Sequence, residues 1–170
     1  MRNRGWTVRL ASGSRELLPP AVAARYPNLP SDVRRFLSGL QRCVSPKQTS
    51  WFLTATDYRR KADSAFRWNE IELMSLEFAD DNPDLDAKVR TAEIRAFWDG
   101  HFPVMLAVRS DYDYLAVRLS DGVVVHGFAP DWEDTSPVAP SFAAFVSALA
   151  EEVAEPHDVS PLSVFVGAGC

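Results

Sequence analysis

Apolar and polar residues alternate along three short segments in the second half of the chain. Within residues 97–149, the segments Pro103–Val108, Tyr112–Leu119 and Val123–Phe128 carry apolar side chains at every second position, as half-buried β-strands do. Ser120-Asp121-Gly122 predicts a tight hairpin turn, because Asp-Gly tolerates the positive φ that such turns need. The pattern predicts a β-meander, in which each strand pairs with the next.

Helical periodicity follows this meander and also precedes it. After the loop 129–140, Ser141 is the predicted N-cap of a helix. Its apolar stripe consists of Phe142, Phe145, Val146, Leu149 and Val153. An earlier helix is predicted to begin at an N-cap Ser31 and to end before Pro46. Its apolar face consists of Val33, Phe36, Leu37 and Leu40, at the i, i+3, i+4, i+7 spacing of one helical face.

The segment between these helices gives mixed signals. Residues 49–56 predict a strand with Trp51 and Leu53 on one face, and Asn69–Met74 predicts a second short strand. Residues 79–84 contain Asn and Pro and predict a break. A third helix is then expected from about Asp84 to Gly100. Its helically spaced apolar residues are Leu85, Val89, Ala92 and Ala96.

The length of 170 residues fits one domain. We expect an irregular N-terminal extension over residues 1–28, an α+β domain over 29–155, and a tail over 156–170 in which Leu162–Val166 adds an edge strand. No apolar run reaches the roughly 18 residues of a membrane span. The basic N-terminus lacks the apolar core of a signal peptide. Cys43 and Cys170 predict neither a disulfide framework nor a zinc site, so a cytoplasmic location is expected.

Charge is divided unequally along the chain. Residues 1–47 hold nine Lys/Arg and two Asp/Glu, whereas residues 48–170 hold nine Lys/Arg and 21 Asp/Glu, which leaves a net charge of −5. An acidic balance of this kind disfavours nucleic acid as a partner and favours a basic protein. A plain solubilising surface explains the same charges equally well.

The sequence predicts no catalytic apparatus. The histidines are His101, His126 and His157, and no Gly-x-Ser-x-Gly elbow or phosphate-binding glycine loop is present. His126 lies within a predicted strand and is interpreted as half-buried and structural. No catalytic residue, metal ligand or cofactor is therefore predicted.

Two connections of the predicted meander combine acidic and aromatic residues, and three interpretations of them stay open. They are solvated loops, a protein-binding surface with an aromatic anchor in a polar rim, or a catalytic or metal-binding carboxylate pair. An EF-hand calcium loop would need a glycine and a distal glutamate that are absent here. Trp132 is the aromatic residue least explained by a core. The partner-binding candidates are Asp111, Tyr112, Asp113, Asp131, Trp132, Glu133 and Asp134.

The order of these motifs resembles the SUKH superfamily over residues 29–150. The resemblance rests on the helix start Leu29-Pro30-Ser31-Asp32, the successive strand motifs, and a closing Ser-Phe-x-x-Phe helix. The strand motifs begin at Phe102 and Asp113 and at the Asp121-Gly122 turn, and the closing helix begins at Ser141. The superfamily includes fungal cell-wall-synthesis regulators and bacterial immunity proteins against polymorphic toxins.

The resemblance implies an α+β domain with a mostly antiparallel sheet and no enzymatic activity. It also implies a protein that binds and neutralises a cognate toxin, or alternatively a regulatory scaffold. A basic toxin domain is the partner expected from the charge. A third hypothesis is a small hydrolase that uses the pair Asp111/Asp113 or the pair Asp131/Asp134. It requires those carboxylates to converge in one pocket.

Overall fold

A seven-stranded antiparallel sheet forms the centre of the protein, and its spatial order follows the chain order. The computed structural model describes residues 5–13, 16, 18–60, 66–81, 87–108, 111–155 and 162–166. The strands within these residues are β1 Thr7–Leu10, β2 Leu40–Val44, β3 Ser50–Phe52, β4 His101–Val108, β5 Tyr112–Arg118, β6 Val124–Phe128 and β7 Ser136–Ala139. The predicted α+β class with a meander sheet is confirmed.

Helices lie between the strands and after them. They are α1 Pro20–Arg25, α2 Ser31–Ser38, α3 Glu70–Asp80, α4 Ala87–Gly100, α5 Phe142–Ala154 and α6 Ser163–Val166, together with a 3₁₀ turn at Asp57–Arg59. The long connection between β3 and β4 contains α3 and α4, whereas the strands from β4 to β7 follow one another through short loops.

The helices divide between the two faces of the sheet. Tyr114 packs against Trp98 of α4, with ring centroids 4.8 Å apart. Its neighbour Leu115 pairs with His126, which packs edge-on against Phe165 of α6 at 5.5 Å. Because successive residues of a strand point to opposite faces, α4 and α6 cover opposite faces.

A cluster of phenylalanines holds α2 and α5 on the face of α6. Phe52 of β3 pairs with Met105, which pairs with Leu115, so Phe52 shares the face of Leu115. Phe52 contacts rings of both helices. The cluster consists of Phe36, Phe52, Phe142 and Phe145. Aromatic pairs of this kind add roughly 0.5–1.5 kcal/mol each beyond the burial of their area.

The C-terminal half agrees closely with the sequence. Strands β4, β5 and β6 occupy the predicted segments, and Gly122 has φ of +78° in the predicted hairpin turn. Ser141 caps α5, because its Oγ accepts a hydrogen bond of 3.2 Å from the backbone N–H of Ala144. The predicted half-buried position of His126 is also confirmed.

Two predicted strands were wrong. In the segment Asn69–Met74, residues 70–74 belong to α3, whose buried residues Ile71, Ser75 and Ala79 recur at helical spacing, and Asn69 is its N-cap. In the segment Leu162–Val166, predicted as an edge strand, residues 163–166 form the short helix α6 instead. The alternation of Ile71 and Leu73 spans too few residues to distinguish a strand from a helix.

The start and the end of α2 and the buried face of α4 also differ from the predictions. Ser31 is the first residue of α2 and Pro30 takes the N-cap position, so the expected Ser31 cap is absent. The helix ends at Ser38, and Leu40 begins strand β2, which also contains Cys43. In α4 the buried side chains are Ile94 and Trp98, whereas the predicted stripe at Val89, Ala92 and Ala96 is exposed. Leu85 and the expected Asp84 cap lie outside the described residues.

Segments predicted as irregular also contribute strands, a helix and core residues to the fold. Part of residues 1–28 forms β1 and α1, and Trp6 and Leu18 are buried in the core. The loop predicted between β6 and α5 contains β7, which pairs with β6.

Candidate functional site

The β4–β5 and β6–β7 connections lie side by side at one end of the sheet. The backbone carbonyl of Tyr112 accepts a hydrogen bond of 3.1 Å from the Ala129 N–H and one of 3.4 Å from the Trp132 indole N–H. We call the residues 111–113 and 131–134 the acidic end. All seven partner-binding candidates from the sequence lie here, and the fold brings their two segments together.

Trp132, the aromatic residue that the sequence least explains by a core, is nevertheless part of the core. It is 6% exposed, and its backbone carbonyl accepts a hydrogen bond of 2.5 Å from the Tyr114 hydroxyl. Burial, followed by the nearby charge of Glu133, raises the pKa of Tyr114 far above its ordinary value. The Tyr114 hydroxyl therefore stays protonated and donates to Trp132 at all ordinary pH.

Gly127 makes room for the Tyr114 side chain. The two residues face each other across β5 and β6. A Cβ built on Gly127 lies 2.5 Å from both Cε1 and Oη of Tyr114. Real Cβ atoms do not approach other atoms so closely, so a hydrogen at this position is what lets Tyr114 reach Trp132.

Two of the candidate carboxylates point inward and are already paired. Glu133 accepts hydrogen bonds from the Ser75 hydroxyl at 2.5 Å and from Arg90 Nη2 at 2.8 Å. Asp113 Oδ1 lies 2.8 Å from His126 Nε2, and both of these side chains are 13% exposed. These contacts tie the acidic end to α3, α4 and β6.

The other candidates, apart from the buried Trp132, are exposed or partly exposed to solvent. Asp111, Asp131 and Asp134 are exposed, and Tyr112 is half-buried. The backbone N–H of Asp134 donates to the carbonyl of Asp131 at 2.9 Å, which closes a turn between these two acidic residues. The acidic end therefore presents three exposed carboxylates and one half-buried tyrosine.

A groove of about 740 Å³ opens on the face of the sheet that carries α4. Arg9 pairs with Arg42, and Val44 pairs with Trp51. Since Arg42 and Val44 are two residues apart on β2, all four side chains share one face. Trp51 pairs with Leu106, which pairs with Tyr114, so this is the face of Trp98. The lining contains residues of β1 to β4, a residue of the 3₁₀ turn that follows β3, and Phe66. It contains no residue of α3 or α4.

The two ends of this groove differ in chemistry. Arg9 and Arg42 are exposed at one end, and Phe66 and Trp51 meet at the other with ring centroids 5.6 Å apart. The Phe66 ring also lies 6.4 Å from that of Tyr112. The aromatic end of the groove therefore adjoins the acidic end of the sheet.

Sequence reasoning missed this groove. A signal existed in the +7 balance of residues 1–47, which contain Arg9 and Arg42. The cross-strand pairing that places the two side by side depends on the tertiary fold and is not visible in a local pattern.

Comparison with known proteins gave no relative. No protein-family model, curated protein or solved structure matches the chain. The SUKH resemblance therefore stays a prediction. Among the described residues, no three His, Cys, Asp or Glu side chains are grouped so as to hold a metal ion. None of the described helices combines the length and apolar character that a membrane crossing requires.

Proposed function

We propose that the protein is a non-enzymatic binding domain that neutralises a basic toxin domain through its acidic end. The observation that carries the proposal is the placement of Asp111, Asp131 and Asp134. These three exposed carboxylates lie on two connections that the buried Trp132 holds together. An acidic surface on a rigid support is suited to covering a basic substrate cleft.

The support beneath this surface favours binding. Trp132 and Tyr114 join the two connections by hydrogen bonds to backbone carbonyls, and Glu133 joins them to Arg90. A surface that is already ordered loses little conformational entropy when a partner arrives. The exposed carboxylates increase the rate of encounter with a basic partner, and the Tyr112 ring offers an aromatic contact of the type found in interface hot spots.

Neutralisation in cells is the decisive test. In the bacterial immunity proteins that the chain resembles, the toxin gene typically lies beside the immunity gene. The product of the adjoining reading frame should therefore stop growth when expressed alone and should permit growth when this chain is co-expressed. The two proteins should also co-purify. If the adjoining product is harmless, or if it is toxic and is neither bound nor neutralised, the proposal is wrong.

Charge-matched variants locate the surface. The triple variant Asp111→Asn/Asp131→Asn/Asp134→Asn should associate with the toxin about tenfold more slowly at low salt. The control replaces exposed carboxylates elsewhere, as Asp32→Asn/Glu151→Gln/Glu155→Gln, and should associate like the wild type. Equal rates for both variants would place the interface outside the acidic end.

The same experiment separates the other hypotheses. A regulatory scaffold would co-purify with a cellular protein whose expression alone is harmless. A hydrolase would require catalytic turnover, and the structure shows Asp131 and Asp134 exposed and Asp113 paired with His126. Neither of the pairs Asp111/Asp113 and Asp131/Asp134 lines the 740 Å³ groove.

A further inference from the structure

We infer that the groove over β1 to β3 is a second binding site, one that takes an acidic peptide. The bound peptide would place one or two carboxylates against Arg9 and Arg42. It would place an aromatic or aliphatic side chain against Trp51 and Phe66. This site has the opposite charge to the acidic end and is independent of the function proposed above.

Arg9 and Arg42 form a pair of positive charges that no carboxylate of the described residues neutralises. Arg9 and Arg42 face each other in the β1–β2 register, and like charges in directly opposed positions destabilise a sheet. Arg42 donates to the neutral Gln48 side chain at 3.1 Å. Within the described part of the chain, neither guanidinium has a carboxylate within 4 Å. A carboxylate ligand would remove this repulsion through charge-assisted, bidentate hydrogen bonds.

The backbone of the groove lining adopts an unusual conformation at two residues. Among the described residues other than glycine, the two with positive φ are Gln48 at 59° and Phe66 at 56°, and both line the groove. For a bulky residue such as Phe66 this conformation is an outlier that concentrates at functional positions. It holds a 36%-exposed phenyl ring beside Trp51.

The dimensions fit a short extended peptide. Neighbouring strands lie about 4.8 Å apart, so the distance from β1 to β3 is about 10 Å. Three extended residues cover that distance at about 3.3 Å each. The groove therefore selects an acidic residue about two to three positions away from an apolar one. Between the two ends, Thr49 also lines the groove, and its hydroxyl suits a peptide backbone.

Charge at the far end of the groove argues against nucleic acid. Phe66 adjoins Tyr112, and beyond Tyr112 lie the exposed carboxylates of the acidic end. A single strand carries a negative charge at every nucleotide. Such a chain leaving the aromatic end would meet those carboxylates, whereas a peptide whose acidic residues sit at the arginine end avoids them.

A random heptapeptide library displayed on phage, selected on the full chain, tests this inference. The enriched peptides should carry Asp or Glu two or three positions from an aromatic or aliphatic residue. In fluorescence anisotropy, the enriched peptide should bind the Arg9→Gln/Arg42→Gln variant about tenfold more weakly than the wild type. The control variant Arg35→Gln/Arg95→Gln removes two exposed arginines from α2 and α4 and should bind like the wild type.

Two further variants and a competing oligonucleotide complete the peptide-binding experiment. Trp51→Leu should weaken binding of the same peptide without changing the net charge, and thermal melts should show that each variant is folded. Asp131→Asn/Asp134→Asn should leave peptide binding intact, which separates this site from the acidic end. The inference is overturned if no peptide is enriched, if the enriched peptides lack acidic residues, or if the two arginine variants bind equally. It is also overturned if a ten-nucleotide oligothymidylate binds more tightly and displaces the peptide.

Discussion

Replacing Gly127 by Ala tests the role of the buried Tyr114. The added methyl group would lie 2.5–2.6 Å from Cε1, Cζ and Oη of Tyr114. Tyr114 is fully buried, so its ring has little room to move. Overpacking of a core costs about 1–3 kcal/mol, and losing the hydrogen bond to Trp132 costs about 0.5–1.5 kcal/mol more. We therefore expect Gly127→Ala to lower the free energy of unfolding by about 2–4 kcal/mol.

Urea unfolding followed by tryptophan fluorescence, with linear extrapolation to water, measures this loss. A double-mutant cycle identifies its cause, because Tyr114→Leu removes the three atoms that the methyl group would meet. In that background, Gly127→Ala should change the free energy of unfolding by less than about 0.5 kcal/mol. Gly100→Ala is the matched control, since nothing lies within 4 Å of a Cβ there. The reasoning is refuted if Gly127→Ala costs nothing, or costs as much without the tyrosine as with it.

Three further outcomes are expected. Ser141→Ala should lower the free energy of unfolding by about 0.5–2 kcal/mol in the same urea assay, because α5 loses its N-cap hydrogen bond; a stability equal to the wild type would contradict this. Arg25→Met should cost about 2 kcal/mol, because the Glu72 side chain is only 7% exposed and would lose both of its hydrogen bonds to that guanidinium. Arg118→Met breaks the exposed ion pair with Asp121 and should change the urea midpoint very little. Equal losses of stability in Arg25→Met and Arg118→Met would contradict this prediction. Burial raises the pKa of Cys43 to about 11, so the folded state favours the thiol. The free energy of unfolding should therefore fall as the pH rises from about 9 towards 11, and Cys43→Ala should reduce that fall.

Local sequence patterns predicted the C-terminal half of the fold because its strands, turn and helix cap are each determined by residues that are close in sequence. Strands β4 to β6 alternate in hydrophobicity, the Asp121-Gly122 turn needs one residue with positive φ, and Ser141 caps the helix that follows it. Each of these depends on neighbours a few residues away. The resulting elements appear in the structure at nearly the predicted bounds.

Errors arose where a distant residue decides the local structure. Glu72 is buried in α3 because Arg25, 47 positions earlier, donates two hydrogen bonds to it. Leu40 continues the helical spacing of Phe36 and Leu37, but it pairs with Leu10 in the sheet. No periodicity within residues 31–46 carries that information.

The residues of the acidic end were named from the sequence, but the geometry of their side chains was not predicted. The acidic residues that flank Trp132 favour an exposed loop, and the sequence gives no sign that its indole N–H reaches the Tyr112 carbonyl. Likewise, the inward direction of Glu133 depends on Ser75 and Arg90. Burial of these groups follows from how α3 and α4 pack, which only the assembled fold determines.

The meander order also has a consequence for how the molecule folds. Strands β4, β5 and β6 close short loops within residues 101–128, whereas β3 meets β4 only after residues 53–100 have been enclosed. Closing a longer loop costs more chain entropy, and pairings between distant segments form more slowly. The acidic end lies among the strands β4 to β7, which pair through short loops and are expected to form early. The groove spans the pairing of β3 with β4, which is expected to form late. A chain that refolds from the denatured state is therefore expected to form the acidic end before it completes the groove.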